Sequence, residues 1–327
     1  MKVISNRAFE HWPSWDLVYE WEDEIARSIP GTMVYKRKEL KLGGKRLFKA
    51  LRTKLGLDID VLFLGECKTF FYDMSPQLGN FHAINNNQSV CIIDFYLESQ
   101  KDLDRFYKAY QRAEHLYVSS KEVYDYLQKL CPQRPVEHLP LTLPDKYAIC
   151  SETSFKKEYD LILQGRQNPL LLDWLHQYEK THDITYVTRG KIEGNNFPYY
   201  TNRGDFIGYG NTREQYINLL RGSRVALYST PGIDGDAKDG ATNRFHQVTP
   251  RFLEEIGCGC NVIARYVPNS DTEYFELDKM TSRVETYQEF EIAMDKAIHT
   301  PPDMKLYADY LQRHYTSEIA KILKKGL

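Results

Sequence analysis

The sequence predicts an α/β protein made of two parallel-sheet domains. Three observations carry this expectation. The chain has 327 residues, more than a single hydrophobic core usually organises, so two domains are expected. Short apolar runs alternate with amphipathic helical stretches, the order that gives parallel sheets covered by helices. The alternation pauses at Pro140, Pro144 and the polar run 151–157, then restarts. The expected division is residues 1–148 and 149–327, with a ligand cleft between the two halves and the final helix placed to pack back on the first.

Composition narrows the class. The chain is 42% hydrophobic and 27% charged with a net charge of −2, which argues against a dedicated nucleic-acid binder. No run approaches the 18 or so apolar residues of a membrane span, and the polar start at Met1 does not read as a signal peptide. Of Cys67, Cys91, Cys131, Cys150, Cys258 and Cys260, most read as small buried residues of a reducing, cytoplasmic protein. Cys258 and Cys260 lack the second ligand pair that zinc requires.

In the first half, residues 1–6 and 32–35 read as strands and 15–29 as a helix, stopped by Pro30-Gly31. Residues 60–65 and 89–94 are apolar runs suited to inner strands. Helices are expected over 101–113 and 120–130, and strands over 115–119 and 136–141. Because sites in open α/β sheets form at the carboxyl ends of strands, Asp94 is a candidate for a cleft, with His82 in the preceding loop. Capping or ion pairing serves Asp94 equally well.

One stretch differs from the rest. Lys36, Arg37, Lys38, Lys41, Lys45, Arg46, Lys49, Arg52 and Lys54 are opposed by Glu39 alone, with Leu47, Phe48, Leu51 and Leu55 at helical spacing among them. A basic helix of this kind over 36–55 fits an anionic membrane surface, a groove for an anionic acceptor, or a solvated helix held by its leucines.

In the second half, strands are expected at 159–163, 184–188, 206–208 and 225–229, and helices at 170–181, 212–221, 286–298 and 302–323. Residues 234–240 imitate a calcium loop, but the spacing is wrong and Phe245 stands where the closing glutamate belongs; they read as a mobile loop. Residues 249–264 read as a short helix running into a buried strand. Thr249 suits an N-cap and Pro250 the first helical position. Such a helix start suits a phosphate, and Glu254 or Glu255, one turn inside, reaches toward a ribose. An ordinary αβ unit with a carboxylate pair is the alternative.

Three stretches resemble the GT-B glycosyltransferases, in particular the retaining group-1 and CgeB-like members. They are Tyr159-Asp160-Leu161-Ile162-Leu163-Gln164-Gly165-Arg166, the run from Arg251 to Ile263, and Tyr310-Leu311-Gln312-Arg313-His314-Tyr315-Thr316. The resemblance covers roughly residues 160–327. It implies two Rossmann-like domains facing across a cleft, with acceptor bound by the first and nucleotide sugar by the second. It places Glu254 on the glutamate that binds the donor ribose, and Gly165, Arg166, Arg244, Thr249 and Arg251 around the donor. Two positions depart from the family. His246 stands where an acid near the donor sugar is usual, and Leu171 where a lysine follows the Gly-Arg pair.

The implied reaction moves a sugar from a UDP-, GDP-, TDP- or CMP-linked donor to a hydroxyl of a glycan or lipid-linked acceptor. No metal and no tightly bound cofactor are expected. A retaining enzyme needs no dedicated base, whereas an inverting one needs a base such as Asp94 or His82. The setting implied is bacterial surface polysaccharide or glycoconjugate synthesis at the inner face of the membrane. A sugar-nucleotide-binding protein without turnover and a sugar-nucleotide epimerase are the competing readings. A dehydrogenase is disfavoured, since no Gly-x-Gly-x-x-Gly follows the first strand.

Overall fold

A computed structural model describes residues 1–7, 13–36, 67–74, 86–194, 196–235 and 244–326. The expected basic helix, the strand at 60–65 and His82 lie outside these residues. The chain divides into two compact units, Met1–Pro144 with Thr316–Leu327, and Asp145–Tyr315.

The first unit runs β1 (Lys2–Ser5), α1 (Pro13–Ser28), β2 (Met33–Lys36), β3 (Thr69–Asp73), β4 (Gln88–Ile92), α2 (Gln100–Tyr110), β5 (His115–Val118), α3 (Lys121–Leu130) and β6 (Glu137–His138). The strands form a six-stranded sheet in the order β2-β1-β3-β4-β5-β6, with every pair parallel. Ser99 and Ser120 cap α2 and α3 by accepting from the N–H groups of Asp102 and Val123. Apolar residues on their inner faces, Leu103 and Phe106 on α2 and Val123 and Leu127 on α3, are buried.

The second unit runs β7 (Tyr159–Leu163), α4 (Pro169–Tyr178), β8 (Tyr186–Arg189), β9 (Pro198–Thr201), β10 (Phe206–Tyr209), α5 (Arg213–Arg221), β11 (Ser223–Ser229), α6 (Arg251–Gly257), β12 (Asn261–Arg265), α7 (Ser270–Tyr274), α8 (Leu277–Met280), β13 (Ser282–Arg283), α9 (Tyr287–His299) and α10 (Met304–Leu311). Its seven-stranded sheet has the order β10-β9-β8-β7-β11-β12-β13. The pairs from β8 to β13 are parallel, and β9 and β10 add an antiparallel edge. Leu161, Leu175, Val225, Ile263, Phe290 and Met294 form a core on one face of this sheet. The last helix, α11 (Thr316–Lys325), belongs to the first unit and packs on α1.

Four differences from the sequence reading have physical causes. Strand β3 went unanticipated because all five of its positions are buried, and a strand covered on both faces shows no alternation. Strand β9 opens on Pro198, which cannot donate to a ladder and is tolerated at a strand's first residue. The strand expected at 136–141 narrows to Glu137–His138, since Pro140 lacks a ladder donor. The single helix expected at 302–323 is two, because the Thr316 N–H leaves the helical pattern to bond the Leu143 carbonyl at 3.1 Å. The Thr316 hydroxyl lies 3.0 Å from that of Thr142.

Among the described residues no helix is long and apolar enough to cross a membrane. At the amino ends of β7, β11 and β12 lies a cavity of about 260 Å³ lined by Phe155, Lys157, Arg224, Asn261 and Met304, among others. Lys157 is occupied there, donating to the Ser223 and Cys258 carbonyls at 2.8 and 2.9 Å.

Candidate functional site

The chemistry gathers at the opposite ends of these strands, around α6. This helix follows a loop that leaves β11, and it delivers the chain to β12. Its residues 252–257 are all buried, so both of its acids, Glu254 and Glu255, are held inside the protein.

Glu254 is 3% exposed, and its charge is met from α5. Arg213 Nη2 donates to Oε1 at 2.6 Å and the Tyr216 hydroxyl to Oε2 at 3.0 Å. Thr212 starts α5 with a capping box shared with Gln215, which presents Arg213 and Tyr216 on one face of the first turn. The Arg213 guanidinium lies over the rings of Tyr147, at 5.9 Å, and Tyr216, at 5.0 Å. Burial pushes the Tyr216 hydroxyl well above its usual pKa, so it stays protonated and donates. A carboxylate has about four acceptor sites, so these two bonds fix Glu254 while leaving acceptor capacity.

Glu255 is a different acid. It is 1% exposed. Its Oε1 lies 3.4 Å from Arg251 Nε, and its Oε2 is buried without a hydrogen-bond partner. Burial raises its pKa to about 8, against the pull of Arg251, so near neutrality the carboxyl holds a proton.

Arg251 ties α6 to the turn after β7. Its Nη1 donates to the carbonyls of Gln164 and Arg166, each at 2.8 Å. Gly165 between them is left-handed, with φ of +67, a conformation glycine adopts without a side-chain penalty. Gly165 and the Arg166 side chain are exposed.

Thr249 is not a side-chain cap. Pro250 holds the N-cap position and no side chain bonds the first turn. The Tyr228 hydroxyl draws Thr249 away, accepting from its N–H at 2.9 Å and lying 3.5 Å from its hydroxyl. His246 is half-buried beside the loop after β11, with Nδ1 2.9 Å from the Pro231 carbonyl. That bond puts the ring proton of neutral His246 on Nδ1. Arg244 is exposed, with its guanidinium over the Phe245 ring. Leu171 is buried in the core and offers no cation. Asp94 lies just beyond the carboxyl end of β4 in the first unit, in a left-handed conformation with φ of +57. The structure thus brings Gly165, Arg166, Arg251 and Glu254 together through Arg251 and α6, with Thr249 beside them, and puts Asp94 in the other compact unit.

The sequence reading missed Arg213 and Tyr216 as partners of Glu254, and Tyr147 as a ring beside the Arg213 guanidinium. The first two were detectable as an i, i+3 pair just after a strong N-cap. It also missed what holds the loop after β11. Asp234 forms a two-pronged ion pair with Arg265, one contact being Nη2 to Oδ1 at 2.9 Å, and accepts from Asn168 Nδ2 at 2.9 Å. The start of the loop read as mobile is therefore tied to the end of β12 and to the N-cap of α4. Among the described residues no group of three or more His, Cys, Asp or Glu is disposed to hold a metal ion.

No protein-family model matches the chain, and no curated protein matches it. Solved structures do. The crystal structure of AviGT4, a glycosyltransferase involved in avilamycin A biosynthesis, matches with a TM-score of 0.55 at 9% identity, covering 99% of this chain and 96% of that one. The fold is GT-B. Two further matches have lower TM-scores. The pneumococcal O-GlcNAc transferase GtfA in complex with UDP and GlcNAc gives 0.46 at 11% identity, and the GtfA/B complex 0.47 at 10%. They cover 81% of this chain, which spans only 57% and 59% of theirs. In this GT-B chain, the α6 cluster lies in the second of the two parallel-sheet units, at the carboxyl ends of its strands.

Proposed function

We propose that this protein is a glycosyltransferase that moves a sugar from a nucleotide-sugar donor to a hydroxyl of a glycan or lipid-linked acceptor. The observation that carries the reading is Glu254. On a GT-B fold, it stands where the sequence resemblance puts the donor-ribose glutamate, held in place by Arg213 and Tyr216. Glu254 accepts from the ribose diol. The Gly165 turn lets backbone approach the diphosphate, with the Arg166 side chain beside it. Negative charge builds on the leaving diphosphate in the transition state, and fixed donors aimed at it stabilise it without reorganising. His246 bonds to hydroxyls of the donor sugar. Transfer is retaining, as in the group-1 and CgeB-like enzymes, with the departing phosphate taking the acceptor proton. Asp94 is the base an inverting enzyme would draw on. The pathway is bacterial surface polysaccharide or glycoconjugate synthesis, at the inner membrane face reached through the basic segment 36–55.

A second reading, donor binding without turnover, draws on Leu171, whose apolar side chain leaves the diphosphate without the family's lysine. A thermal-shift screen with UDP, GDP, TDP and CMP identifies the base, since a ligand of the native state raises apparent stability. Donor-dependent transfer or hydrolysis then separates the readings. Turnover with any sugar nucleotide supports the enzyme, and binding without turnover supports the alternative.

A further inference from the structure

We propose that Arg251 is a positioning residue whose guanidinium clamps the turn between β7 and α4, setting the backbone of Gly165 and Arg166 for the diphosphate. This rests on the donor-site reading above. The two carbonyls that Nη1 bonds belong to Gln164 and Arg166, the residues on either side of Gly165, and both bonds are 2.8 Å. One nitrogen therefore bridges the carbonyls of the two residues on either side of a left-handed glycine. The fit is close, because a Cβ on Gly165 would come within 3.2 Å of that same nitrogen.

The guanidinium is itself held. It lies 5.3 Å over the Tyr228 ring, and its Nε faces the buried Glu255 carboxyl. Tyr228 is in turn fixed by Thr249. With Nη1 on two backbone carbonyls and Nε against Glu255, Arg251 acts through the turn rather than on the ligand, and the exposed Arg166 is the arginine that meets phosphate.

The test uses the full chain and two readouts. Amide hydrogen exchange without ligand reports the turn at residues 165–167, and titration with UDP and with inorganic pyrophosphate reports the phosphate site. Arg251→Met keeps the bulk and removes the donors. Arg251→Met with Glu255→Gln serves where the single variant leaves the acid buried alone and fails to fold. The expected result is exchange in the turn faster by roughly tenfold or more, with β7 and β11 unchanged, and ligand affinity lower by roughly tenfold. Arg251→Lys, which retains a charged donor, recovers part of both. Unchanged exchange in the turn overturns the clamp. So does an affinity loss without an exchange change, which would make Arg251 a direct ligand contact. If wild-type protein binds neither UDP nor pyrophosphate while the turn still responds to Arg251→Met, the clamp stands and the donor-site reading falls.

Discussion

Glu254 and Glu255 are adjacent, both buried, and chemically unlike. Glu254 has a half-buried arginine and a tyrosine hydroxyl on its two oxygens, so it is an anchored carboxylate. Glu255 faces one guanidinium edge-on and holds its proton to about pH 8. Its folded pKa lies above the ordinary glutamate value of about 4.5. Between those values the unfolded chain has released a proton that the folded chain keeps, so this residue's contribution to stability falls as pH rises from about 4.5 to about 8. The slope is at most about 1.4 kcal/mol per pH unit. Urea unfolding at pH 5 and pH 8 checks this. Glu255→Gln, which mimics the protonated acid, should remove that part of the decline, and an unchanged pH slope would refute the assignment. The sequence marked both acids as candidates and favoured Glu254 through the resemblance. It was silent on what distinguishes them, because that depends on Arg213 and Tyr216, brought in from another helix.

At the scale of elements, the helix starts show what local sequence does and does not determine. Thr212 caps α5, as its side chain and Gln215 prescribe. Thr249 carries the same chemistry ahead of α6, yet its hydroxyl makes no bond to the first turn and lies 3.5 Å from the Tyr228 hydroxyl instead. A cap is a local competition, and a buried tyrosine hydroxyl at the end of a neighbouring strand wins it. Thr212→Ala should therefore cost about 1 kcal/mol, the usual worth of an N-cap. Thr249→Ala should lose no capping contribution, although it gives up a weak hydroxyl contact. Chemical denaturation of both variants measures this, and equal capping losses at the two sites would contradict the geometry. Strands such as β7 and β11 were legible as apolar runs with turn signals beyond them. The β9–β10 edge was only half legible, because its register shifts between Phe206 and Gly208 and Pro198 obscures the partner strand.

Across the whole molecule, the alternation of strands and helices revealed two parallel sheets, and the GT-B match over 99% of the chain agrees with that reading. Alternation reports architecture well because it reflects burial, which every residue feels. The proposed donor site was partly legible, since Gly165, Arg166 and Glu254 sit in recognisable stretches. The residues that orient them are scattered along the chain. Co-sedimentation with vesicles containing anionic lipid should fall sharply when Lys45, Arg46 and Lys49 are replaced by glutamate, and should weaken with added salt. Equal partitioning of the two proteins would remove the membrane from the account.

The central claim is that Glu254 and Arg166 hold a nucleotide-sugar donor. Glu254→Ala is a poor probe of it, because it leaves Arg213 buried without its partner, a change that typically costs about 3–5 kcal/mol. Glu254→Gln keeps the shape and an acceptor for Arg213. The most direct measurement is donor-dependent turnover of wild type, Glu254→Gln and Arg166→Ala, with whichever sugar nucleotide stabilises the wild-type protein. The account predicts that each variant, still folded, loses roughly tenfold or more in kcat/KM. Wild-type turnover and donor affinity in both variants would contradict it.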